Sequence, residues 1–143
     1  MDSILLVEAD VTTSEQWAAA LSESGHSVLT ASGMREALRL VREGGIDVVV
    51  IDVYDPQAGV VELARGMEAL PDAPPILLIS GSPAAPQISV RIGAAMFMPK
   101  PCEPGEVVTA IGQLLGRLRP VWVYEDEPID PADVWSDPTW RLG

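Results

Sequence analysis

Three unbroken apolar runs constrain the fold of this chain more than any other feature: Ile4–Val7, Val48–Ile51 and Ile76–Ile79. None alternates with polar residues. Each therefore reads as a strand buried on both faces, as in a parallel sheet covered by helices. Burying one large apolar side chain is worth about 1.5–3 kcal/mol, which puts these runs at the centre of the core. Two weaker strands are predicted at Ser27–Thr30 and Ala95–Met98.

Helical patterns lie between the strands. The first is predicted over Thr13–Ser24, with Trp17, Ala20 and Leu21 on one face, a Thr13–Gln16 capping box and Gly25 at its end. The second runs from Gly33 to Glu43, with Met34, Ala37, Leu38 and Val41 at helical spacing before Gly44-Gly45. The third covers Val60 to Leu70, with Val60, Leu63, Ala64 and Met67, and closes at Pro71. The fourth, Pro86–Ile92, is the weakest, because Ile88, Val90 and Ile92 alternate like a strand; a short helix is expected. The fifth starts at Pro104, a favourable first-turn proline, and carries Val107, Val108, Ile111, Leu114 and Leu115. Strand and helix thus alternate five times. That order implies an α/β domain with a parallel sheet and right-handed crossovers. In such sheets ligands sit beyond the carboxyl ends of the strands.

Composition narrows the function. A length of 143 residues suits one domain with an appendage, and 48% hydrophobic content supplies its core. A formal net charge of −12 argues against non-specific nucleic-acid binding, which needs a basic face, and fits protein or cation partners. The single cysteine, Cys102, excludes an internal disulfide and a cysteine-rich zinc site, and is expected to be a half-buried filler rather than a sensor. The first residues, Met1-Asp2-Ser3, lack the basic start of a signal peptide, and no apolar run nears the roughly 20 residues of a membrane span. A cytoplasmic location is expected.

The character of the chain changes after Arg119. Residues 120–143 hold Pro120, Pro128, Pro131 and Pro138, six acids, and Trp122, Trp135 and Trp140. An extended tail without its own core is expected at 119–143, after a domain at 1–118. The simplest reading is an arm packed on its own domain or on a second copy, with "VWVY" at 121–124 as an added edge strand; a partner-recruiting segment is the alternative.

The strand ends carry the chemistry. The first strand runs into Glu8-Ala9-Asp10, the third ends at Asp52, the fourth at Ser80-Gly81 and the fifth at Lys100-Pro101. Each has a bland explanation as a loop acid, a turn or a surface lysine. On one rim of a doubly wound sheet they form a single shallow site.

The motifs "ILLVEAD", "DVVVIDVYDP", "ILLISGS" and "GAAMFMPKP" resemble those of response-regulator receiver domains from bacterial two-component signalling, over residues 3 to about 118. The resemblance implies a flavodoxin-like five-stranded parallel sheet of order 2-1-3-4-5 with helices on both faces. It implies that Asp52 accepts a phosphoryl group from a histidine kinase or phosphotransfer protein. Lys100 then neutralises Asp52 and holds the phosphoryl oxygens, while Ser80 supplies the hydroxyl that turns inward. Phe97 falls at the aromatic switch position. Glu8, Asp52 and the Tyr54 carbonyl match positions that hold magnesium, Pro56 also fits, and the Lys100–Pro101 bond is expected to be cis. The fourth helix, fifth strand and fifth helix are the family's usual partner face. A protein that is not a conventional enzyme, and at most catalyses its own phosphorylation and dephosphorylation, is implied. With no output domain after residue 118, the reading is a stand-alone receiver signalling by docking to a downstream protein, with a homodimer as a further option and without nucleic acid or membrane.

Two positions depart from the pattern. Ala9 stands where the family has the acid that binds magnesium directly, so the cation is expected to bind weakly or not at all. Asp10 is displaced along the chain and reads as a loop acid or helix cap. "PQAGVVE" replaces the usual segment before the third helix, and Asp55 is an unusual carboxylate near the rim. Two functions then compete: a working phosphoacceptor with weakened magnesium affinity, and a degenerate receiver that binds proteins independently of phosphate. A flavodoxin-type flavin site fits poorly, because Thr12, Thr13 and Ser14 have no accompanying glycine. A haloacid-dehalogenase-like phosphatase needs an aspartate nucleophile where Glu8 stands.

Overall fold

The computed structural model describes residues 2–56 and 59–117. The expectations for the tail, including the strand at 121–124, lie outside the described residues. The elements follow in the expected order: β1 (Ser3–Glu8), α1 (Val11–Glu23), β2 (Ser27–Ala31), α2 (Met34–Glu43), β3 (Val48–Asp52), α3 (Val60–Glu68), β4 (Ile76–Ser80), α4 (Ala85–Arg91), β5 (Met96–Pro99) and α5 (Pro104–Arg117). The strands form one parallel sheet in the order β2-β1-β3-β4-β5. This is the flavodoxin-like arrangement that the resemblance implies.

The sheet explains why the three runs do not alternate. Successive side chains of a strand point to opposite faces, and here both faces are covered. Leu5, Val7, Val49, Ile51, Ile76 and Leu78 pack on one side, against α2, α3 and α4. Ile4, Leu6, Val48, Val50, Leu77 and Ile79 pack on the other, with Trp17 and Leu21 of α1 and Val107, Ile111 and Leu114 of α5. β2 lies at the edge of the sheet and is correspondingly less apolar, with Leu29 exposed.

The ambiguous segment is helix α4. Its alternation is resolved by burial: Ile88 and Ile92 are 7% and 6% exposed, one turn apart, whereas Val90 is 83% exposed on the opposite face. Strand-like spacing in so short a stretch was an accident of which residues lie between the two anchors.

The start of α1 differs from the sequence expectation. The helix begins at Val11, and its cap is Asp10 rather than a Thr13–Gln16 box. Asp10 Oδ2 accepts hydrogen bonds from the Thr13 amide at 3.0 Å and the Thr13 hydroxyl at 2.6 Å. These bonds hold the Asp10 carboxyl below the usual carboxylate range. An aspartate caps better than a threonine two positions into the helix, because its oxygen reaches the free amides from outside. The buried face of α1 is Ser14, Trp17 and Leu21. Ala18 rather than Ala20 packs beside them. Before α3, Gly59 has φ of +85° and its α-carbon faces Met34 of α2, a turn that favours glycine on both counts.

Candidate functional site

Parallel pairing of β1 with β3 puts Glu8 opposite Asp52 at the carboxyl edge of the sheet. β4 and β5 bring Ser80 opposite Pro99, one residue before Lys100. Topology alone thus gathers Glu8, Asp52, Ser80 and Lys100 on one rim. The Lys100–Pro101 bond that follows is cis, as expected.

Asp52 is the most buried of these groups, with a fully enclosed side chain. Its Oδ1 forms an ion pair with Lys100 Nζ, whose side chain is 35% exposed. Asp52 Oδ2 and Glu8 Oε2 are buried without a hydrogen-bond donor among the described residues. Glu8 Oε1 accepts the Asp10 amide at 2.9 Å. Burial, followed by the neighbouring Asp52 carboxyl, pushes the Glu8 carboxyl up to about 7, despite the opposing pull of the Asp10 amide and Lys100.

The sign of that shift sets a pH dependence. A carboxyl raised from 4.5 to about 7 favours the folded state most when protonated. Its contribution is full below 4.5 and is lost as pH rises through about 7. Glu8→Gln is expected to flatten wild-type stability loss between pH 5 and 8, measured as denaturation midpoints across that range. An unchanged slope would show that Glu8 is not the group responsible.

Ser80 is 1% exposed. Its hydroxyl donates to the Tyr54 carbonyl at 2.8 Å and accepts from the Ser82 amide at 3.2 Å. Tyr54 itself is exposed, with its carbonyl turned to Ser80. Phe97 stands apart from the rim, half-buried against the core on the α4 side. Pro56 is buried. Cys102 packs half-buried on the α1 and α5 side, where burial pushes its thiol up, as suits a filler.

A cleft of about 420 Å³ opens over this rim. Glu8, Ala9, Asp52, Tyr54, Asp55 and Lys100 line it on one side, and Ser32, Gly33 and Met34 close it on the other. The α2 wall was missed from sequence. The signal was present in the strand order: β2 pairs with β1, so the loop after β2 lies beside position 9. Ala9 adds no oxygen to the cleft. Among the described residues no group of three acids, histidines or cysteines is placed to hold a metal. The donor set on the rim is instead two carboxylates and a backbone carbonyl.

Sheet order and rim together define a flavodoxin-like α/β domain with Glu8, Asp52, Ser80 and Lys100 gathered at the strand ends. The family profile of the response regulator receiver domain matches residues 4–112. The chain belongs to that family. Among curated proteins it is 32% identical to the response regulator MprA of Mycobacterium leprae, over 96% of this chain and 61% of that protein. It is 34% identical to MprA of Mycolicibacterium vanbaalenii, over 90% of this chain and 60% of that protein. The chain thus spans about three fifths of the length of these relatives. Among solved structures, the signal receiver domain of a signal transduction histidine kinase from Syntrophus aciditrophicus matches with a TM-score of 0.73 at 27% identity, covering 83% of this chain and 93% of that one. The chemotaxis protein CheY4 of Vibrio cholerae matches with a TM-score of 0.69 at 26% identity, covering 79% and 98%.

Receiver domains are signalling modules of two-component systems rather than conventional enzymes, and response regulators interact with histidine kinases and downstream targets. They generally bind magnesium at the phosphorylation site. No helix among the described residues is long and apolar enough to cross a membrane.

Proposed function

We propose that this chain is a phosphoacceptor receiver, phosphorylated on Asp52 and signalling by docking to other proteins. The observation that carries the reading is Asp52 itself: a fully enclosed carboxylate at the floor of the cleft, with Oδ1 paired to Lys100 and Oδ2 without a donor among the described residues. A buried charge is costly unless it is paired and hydrogen-bonded, and groups left incompletely satisfied in a cleft concentrate at functional sites.

Asp52 Oδ2 is the nucleophile. Its bond to phosphorus forms as the bond from phosphorus to the donor nitrogen breaks, and the leaving imidazole remains on the histidine kinase or phosphotransfer protein. Lys100 balances the charge at Asp52 before transfer and holds a phosphoryl oxygen after it. Ser80 then turns its hydroxyl from Tyr54 to the phosphoryl group, and Phe97 follows by changing its packing against the α4 side.

Glu8, Asp52 and the Tyr54 carbonyl would hold magnesium. The set fits a cation that takes one or two carboxylates and fills its remaining positions with water and phosphate. Glu8, whose Oε2 has no hydrogen-bond partner among the described residues, and Asp52 would supply the two carboxylates. A bound magnesium ion neutralises charge on the transferring group. Without an acid at position 9 the affinity is weakened. Lys100 supplies a second neutralising charge on the same rim.

The partners in this reading are the phosphodonor protein and a downstream protein, in the cytoplasm, with a second copy of the chain as a further partner. Segment 119–143 modulates that docking. Ala9 specifically favours a second reading, a degenerate receiver whose protein contacts do not depend on phosphate.

Incubation with a small phosphodonor and magnesium separates the two. The wild type is expected to gain one phosphoryl mass, and Asp52→Asn none. No adduct in wild type or Ala9→Asp at high magnesium would overturn the phosphoacceptor reading. An adduct in Ala9→Asp alone would identify a disabled receiver.

A further inference from the structure

Resting on the phosphoacceptor reading, we propose that the Ser80 hydroxyl and a divalent cation compete for one acceptor, the Tyr54 carbonyl. Cation binding would then release the hydroxyl toward Asp52. The metal side and the switch side of the site are coupled through a single proton.

Ser80 has one O–H to give and two lone pairs to offer. Its proton is committed to the Tyr54 carbonyl at 2.8 Å, and the Ser82 amide takes a lone pair at 3.2 Å. At 1% exposure, no solvent competes for the group. The hydroxyl therefore cannot donate to an oxygen carried by Asp52 while it keeps Tyr54.

The carbonyl has a second lone pair, so its competition is electrostatic rather than a matter of count. Tyr54 lies two residues after Asp52 and lines the same cleft. A carbonyl that already accepts a short hydrogen bond has one lone pair and part of its electron density engaged, and is the poorer ligand. A cation beside it would also repel the hydroxyl hydrogen. Coordination and the Ser80 bond are thus mutually unfavourable.

Linkage makes the relation reciprocal. Whatever draws the hydroxyl away from Tyr54, including a phosphoryl oxygen on Asp52, tightens the cation. Whatever engages the carbonyl frees the hydroxyl. No covalent bond changes: one hydrogen bond is exchanged for one coordination bond, and the freed O–H finds a phosphoryl oxygen. A two-carboxylate site gains most from such coupling, because the carbonyl is a larger share of its oxygens.

The test is magnesium affinity without any phosphodonor, by titration calorimetry, on full-length chains. Four proteins are compared: wild type, Ser80→Ala, Ala9→Asp, and Ala9→Asp with Ser80→Ala. Removing the hydroxyl is expected to tighten magnesium by about fivefold in the wild-type background, the low end of measured couplings between sites, and by less beside Ala9→Asp. Ser80→Thr, which retains a hydroxyl, is expected to stay at the wild-type value. Equal or weaker binding after Ser80→Ala, in a background that binds the ion, would overturn the coupling and leave the phosphoacceptor reading standing. Absence of binding in all four would overturn the metal part of that reading and the coupling with it.

Discussion

Lys100→Met is expected to destabilise the protein by about 3 kcal/mol at neutral pH, the lower end for breaking a buried ion pair from one side. Asp52 is fully enclosed and would lose its cation while keeping Glu8 as its neighbour across the β1–β3 register. Methionine preserves most of the packing, so the loss is electrostatic rather than a cavity. The loss stays at the lower end because the Lys100 side chain is 35% exposed and the pair is partly screened. Denaturant unfolding of the wild type, Lys100→Met, Asp52→Asn and the double variant measures it. Asp52→Asn in the Lys100→Met background is expected to recover most of the loss, since no buried charge then lacks a partner. If the two losses simply add, the ion pair is not what holds the rim.

Ala9→Asp is expected to raise magnesium affinity by at least about tenfold, since even supporting groups around a metal are worth about 10–100-fold. Residue 9 is exposed at the mouth of the cleft, beside Glu8 and facing Ser32 and Gly33, so a carboxylate has room there. The same substitution has an opposite effect without the ion. It adds a negative charge beside Asp52 and beside Glu8, whose carboxyl burial already pushes up to about 7. The metal-free variant is therefore expected to unfold at lower denaturant than wild type, and the magnesium-loaded variant at higher. Titration calorimetry gives the first number and unfolding with and without magnesium the second. Unchanged affinity would show that position 9 is not where the missing oxygen belongs.

Much of this was legible in the chain because burial on two faces leaves an unmistakable mark. Val48–Ile51 and Ile76–Ile79 needed no alternation, since both sides of the sheet demand apolar groups. Residues at successive strand ends of a parallel sheet share a rim, so Glu8, Asp52, Ser80 and Lys100 came together once the strands were placed. What escaped was set by register and competition between neighbours. The Thr13–Gln16 box gave way to Asp10, itself read from sequence as a loop acid or helix cap, because Asp10 stands just outside the helix, where free amides point. Val90 broke the pattern of α4 because, of its three branched residues, Ile88 and Ile92 reach the core and Val90 does not. The Ser80 bond to Tyr54 joins groups 26 residues apart, and no local pattern announces it. The wall supplied by Met34 follows from strand order, which spacing does not reveal.

The residues between Glu8 and Thr13 form a tether. The Asp10 amide holds Glu8, and the Asp10 carboxylate holds the Thr13 amide in the first turn of α1. Any change in charge at the rim therefore tugs on a helix that contributes no side chain to Asp52. The Thr13 amide becomes a gauge: its hydrogen-exchange rate reads out, one step removed, what occupies the space beside Asp52.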